Sequence, residues 1–192
     1  MVEKNGQKIE GLMEIEGFEH KYPMLHVDLD KFGPRVSESV RMMWFDLGLG
    51  TFMDGYLCTV PMGMFEDFAN RSFFQGLPMV PLFMTAFGDV IAQDPEGVLY
   101  MLKHRHEQVE VLAKDLDTFL ELIKDEAFVA AKFELERYKE AVAALGKLEY
   151  WQCYAAFPIL PFAGTEEISS LKIVSAPEYL SFLVQAIGFE ME

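Results

Sequence analysis

The chain has 192 residues, 51% hydrophobic and 14% aromatic, enough apolar side chain for a packed interior and too much for a disordered polymer. Its 31 acidic residues outnumber 16 basic ones and give a net charge of -15. That field repels nucleic acid and anionic membrane and attracts cationic partners, so a DNA-binding or lipid-surface protein is excluded; by itself it says no more than solubility.

The first ten or so residues are expected to be loosely held, being polar and terminal. The ordered part opens at Tyr22-Pro23-Met24-Leu25, followed by a turn at Phe32-Gly33-Pro34. Ser37 has the character of an N-cap, and Val40, Met43, Trp44 and Leu47 recur at helical spacing before Gly48, which predicts a helix over 37–47 anchored by Trp44. Asp54-Gly55 signals a hairpin turn, with a strand to Val60 after it. Pro61 then opens a helix, Met62–Asn70, and Arg71–Pro78 reads as a loop.

The centre of the chain is Met79–Leu102. Its run Val80–Phe87 is apolar throughout, as suits a strand covered on both faces, and Gly88-Asp89 marks a bulge or bend. Val90–Ala92 leads into Asp94-Pro95-Glu96-Gly97, in which proline presets one turn position and glycine accepts a positive φ, and Val98–Leu102 follows. After Lys103-His104-Arg105-His106, the segment Val109–Ala113 alternates as a further strand. Asp115 caps a helix to Lys124, and a period near 3.6 from Phe128 to Leu145 predicts one long helix ending at Gly146.

Leu148–Phe162 is aromatic and β-prone, with Pro158 and Pro161 restricting it to short or edge strands. Thr165-Glu166-Glu167 reads as an exposed acidic loop and Leu171–Val174 as a short strand. Ser175-Ala176-Pro177-Glu178 has the pattern of a capping box, leading a last helix with Tyr179, Phe182, Leu183 and Ala186 on its buried face. The fold class expected is α+β: a mainly antiparallel central sheet covered by helices near 37–47, 115–124, 128–145 and 176–187.

Catalytic and metal chemistry have no positive signal. His104 and His106 lie two apart, but no third ligand joins them at zinc spacing, so they read as solvated and no metal or other cofactor is expected. Cys58 and Cys153 sit among apolar neighbours, which deactivates a thiol, and two such residues make no disulfide framework. Glycine spacings fit neither a P-loop nor a dinucleotide turn. No run approaches a membrane span and the N-terminus lacks signal-peptide order, so a cytoplasmic protein is expected.

Trp44–Val60, WFDLGLGTFMDGYLCTV, resembles the GAD-like domain of bacteria, and Met84–Asp89 resembles the strand and turn that close it. LGKLEYWQCYAAFPILPFAG followed by LKIVSAPEYLSFLVQAIG resembles the C-terminal domain of type VI secretion DNase-immunity proteins, with Gly146, Leu148, Tyr154, Pro158, Gly164, Leu171 and Tyr179 in the family's order. The middle of the chain is more faintly similar to the SUKH superfamily. The resemblance implies a SUKH-like fold, with a GAD-like domain over 1–124 and the immunity domain over 125–192 packed as one unit. It also implies a non-enzymatic antitoxin that occludes a cognate basic DNase toxin, with no nucleic acid or membrane as partner. The alternative is an interaction or regulatory module of the same fold without a toxin. On charge and exposure, Asp94, Glu96, Glu166 and Glu167 are the candidate partner-binding residues.

Overall fold

The computed structural model describes residues 13–70, 73 and 77–188. The first ten or so residues and most of the Arg71–Pro78 loop lie outside the described residues. A seven-stranded sheet runs in chain order, each strand antiparallel to the next: β1 (Glu19–Tyr22), β2 (Leu49–Phe52), β3 (Leu57–Thr59), β4 (Val80–Thr85), β5 (Val90–Gln93), β6 (Leu99–Lys103) and β7 (Gln108–Ala113). A two-stranded ribbon, β8 (Gln152–Ala156) with β9 (Leu171–Ser175), stands beside it. The α+β class with a mainly antiparallel sheet is thus the observed one.

Turn chemistry sets this meander. Between β2 and β3 the chain goes left-handed at Met53, Asp54 and Gly55, where φ is 52°, 56° and 89°. Gly88 (φ 82°) is not a bulge but part of the tight reversal between β4 and β5. The Thr85 hydroxyl accepts the Phe87 and Asp89 amides there, and the Thr85 amide donates to Asp89 O at 2.9 Å. Because a strand's side chains alternate, the sheet buries both faces. Ile91, Leu99 and Met101 join Trp44, Phe83 and Phe119 on one side, while Val90, Ala92 and Leu102 join Phe65, Leu180 and Leu183 on the other.

Seven helices are described: α1 (His26–Phe32), α2 (Glu38–Asp46), α3 (Met62–Asn70), α4 (Leu116–Leu122), α5 (Glu126–Lys132), α6 (Leu135–Leu145) and α7 (Ala176–Ala186). Ser37 and Asp115 cap α2 and α4 as expected, each accepting the amide three residues on. Helix α1 was not expected, since its apolar residues are few and it ends in the Gly33-Pro34 turn.

The single helix expected over 128–145 is two. Phe133 is extended (φ -120°, ψ 147°), drawing its ring against Tyr56 and Phe128. The next amide, Glu134 N–H, donates to the Tyr56 hydroxyl at 3.0 Å. Burying one aromatic ring is worth roughly 1.5–3 kcal/mol, comparable with the helical hydrogen bonds given up. The expected capping box is absent as well. Ser175 stands at the N-cap but makes no side-chain cap bond, because it is still strand, paired with Gln152. Entering directly from β9, α7 buries Tyr179, Leu180, Leu183 and Val184 and leaves Phe182 52% exposed, outside the buried face expected for it.

Candidate partner-binding surface

The four acidic candidates have different fates. Asp94 is only 7% exposed, so the expected exposed carboxylate is a turn brace. Its Oδ1 accepts the Glu96 and Val98 amides, both at 2.9 Å, and its Oδ2 accepts the Tyr100 hydroxyl at 3.2 Å. Glu96 is exposed at the tip of that turn. Glu167 is exposed in the loop before β9, where the Ser169 hydroxyl approaches it at 3.5 Å. Glu166 is tied down by cations at the opposite end of β6, so the two acidic pairs lie a strand length apart.

Those cations are Arg105 and Arg137, and the solvated reading of His104 fails, since it is buried beside Arg105. Residues 104–106 form a 3-10 turn between β6 and β7 that turns His104 and Arg105 inward. His104 Nε2 lies 2.9 Å from Phe68 O, and burial pushes its pKa down to about 4, so the imidazole is neutral. Arg105 clasps Asp89 through Nε and Nη2, each at 3.1 Å, and reaches Glu134 with Nη2 and Glu166 with Nη1, the latter at 2.5 Å. Arg137 bonds the same Glu134 and Glu166 at 2.7 and 3.0 Å. Both guanidiniums lie over the Phe87 ring, 5.3 and 4.5 Å from its centre.

Burial opposes the charge on Arg105, but Asp89 and Glu134 outweigh it and hold its pKa above the ordinary value. Burial likewise raises the Glu134 carboxyl, and the two arginines bring it below normal. The cluster thus sets three carboxylates around two guanidiniums, a clasp between the sheet and the C-terminal part rather than an acid–base pair. The thiols offer no nucleophile: burial pushes Cys58 up to about 12 and Cys153 higher still. Among the described residues no group of three His, Cys, Asp or Glu is placed to hold a metal, and no helix is long and apolar enough to cross a membrane.

Among the clefts of the described residues, two border the β2–β3 hairpin. One of about 530 Å³ separates β1–β3 from residues 147–152, with Tyr22, Tyr150 and Trp151 stacked at its rim. The other, about 860 Å³, lies between residues 14–17, the β2–β3 turn, α4 and the start of α5. Its walls carry Glu14, Glu16, Asp54, Asp117, Glu121 and Glu126 against Lys124. Sequence reading overlooked this acidic groove. Glu14 and Glu16 are a hundred residues from α4, and only the tertiary fold joins them.

Residues 113–186 match the family model described as T6SS immunity protein Tdi1, C-terminal. The resemblance to type VI secretion immunity proteins is thereby shown on the C-terminal part of the chain. The crystal structure of Atu4351 from Agrobacterium tumefaciens superposes with a TM-score of 0.73 at 18% identity, covering 90% of this chain and 86% of that one; at such identity the likeness shows a shared fold. No curated protein matches the chain.

Proposed function

We propose that this chain is an immunity protein that binds a cognate DNase effector of a type VI secretion system and inhibits it by stoichiometric occlusion, acting in the cytoplasm and without catalysis of its own. The observation that carries this reading is the match of residues 113–186 to the immunity-protein model. The net charge of -15 supports it further. A nuclease grips phosphate with lysines and arginines, and an acidic protein is suited to cover such a surface. In this reading residues 1–124 form the GAD-like domain of a SUKH-like fold and 125–192 the immunity domain. Glu96, Glu166 and Glu167 are exposed carboxylates, Glu166 while also bound to Arg105 and Arg137, whereas Asp94 acts through the turn it holds.

The test is titration of the purified chain into the nuclease-type effector encoded beside it, following DNA cleavage. Activity should fall linearly to zero at one equivalent. A nuclease that stays active, with no complex on gel filtration, would leave only an interaction module without a toxin.

A further inference from the structure

Resting on the immunity reading, we infer that the groove between residues 14–17 and α4 is where the effector docks, and that it receives an amphipathic cationic segment of that protein. The floor of the groove is apolar, made by Ile15, Phe52, Met53, Leu120 and Ile123. Its wall at 14–17 is built rather than loose. The Met13 amide donates to Asp46 at 3.0 Å, the Phe18 amide to Ile15 O at 3.1 Å, and the Phe18 ring packs on Phe52.

Charge complementarity selects the occupant. Among the described residues the carboxylates of the groove walls face one lysine, Lys124, which is already bonded to Glu121 at 2.6 Å. Elsewhere this chain pairs such groups internally, as Arg105 and Arg137 do for Glu134 and Glu166. An occupant with apolar residues toward the floor and lysine or arginine toward the walls satisfies both parts of the groove. A purely polar polycation would leave the floor uncovered, and an acidic or neutral segment would be repelled or left unpaired.

The experiment uses the nitrogen-labelled full chain, an amphipathic helical peptide of lysine and leucine as probe, and the purified nuclease-type effector. The peptide should shift the amides of residues 14–17, 53–54 and 117–126, and the effector should displace it. Replacing Glu14→Lys, Glu16→Lys and Glu121→Lys together should slow effector association about tenfold or more and flatten its salt dependence. Ile15→Ser should speed dissociation instead.

Undiminished effector binding by the triple variant overturns the groove while leaving the immunity reading in place. A parent chain that forms no complex with the effector ends the immunity reading, and with it this occupant. Contacts between residues 1–12 and the Leu120 or Ile123 methyls in the free chain would overturn the inference by giving the groove to the chain's own N-terminal segment. Self-association abolished by the triple variant would overturn it in favour of a second copy.

Discussion

The carboxylates around Arg105 and those around the groove invite comparison, because the sequence gives both as the same residue types. Asp89, Glu134 and Glu166 converge on two guanidiniums with Phe87 against them, and their charge is spent inside the molecule. Glu14, Glu16 and Asp117 stand on exposed wall positions across an open groove. The lesson is that an acid's function is decided by where its counter-charge sits. A carboxylate with an internal cation holds the fold together, and one without is available to an external cation.

The comparison breaks most visibly at Arg105. Arg105→Met should destabilise by about 3–5 kcal/mol in urea denaturation, since Asp89 is left buried and unpaired. Adding Asp89→Asn should restore part of that loss; no recovery would mean the guanidinium acts mainly by packing on Phe87. A smaller effect, about 1.5–3 kcal/mol, is expected for Glu134→Gln, which keeps shape but loses charge.

Acid sharpens the same contrast. Glu134 has a folded pKa below its ordinary value of 4.5, so the unfolded chain binds more protons in that interval. Its contribution is complete above about pH 4.5 and is lost as pH falls through the folded value. Glu66 and Glu110, where burial is outweighed by Lys31 and Lys103 respectively, add in the same direction. Stability measured against pH should therefore decline on acidification below that point, less steeply in Glu134→Gln.

The smallest stability change belongs to the groove. Its triple lysine variant should unfold within about 0.5 kcal/mol of the parent, as surface changes do. A large loss there would mean that the groove acids are structural after all and would erase the distinction.

How much of this was legible depended on how local each cause is. Apolar runs and Asp-Gly or Ser and Asp caps act over three or four residues, so β3 to β7, α2, α3 and α4 could be read directly. Even Asp94 was readable in principle, because Asp-Pro-Glu-Gly is a turn in which the aspartate side chain takes the following amides. Arg105 was not: nothing near it in sequence reports a partner at position 89, 134 or 166. Its one signal was a His-Arg-His tripeptide with no amphipathic period, joining β6 to β7. The break at Phe133 carried no glycine or proline, and Tyr56, which takes the following Glu134 amide, lies 78 residues from that glutamate. The groove failed to show for the same reason.

The Arg105 clasp also has a direction in time. Asp89 precedes Arg105 by 16 residues, whereas Glu134 follows it by 29 and Glu166 by 61. Before Glu134 is made the guanidinium has only one of its three carboxylates, and the sheet emerges without the contacts that bind it to the rest of the chain. The last of the three carboxylates joins only 61 residues after Arg105. A chain cut short before residue 166 therefore carries a sheet whose buried cation lacks one of its carboxylates.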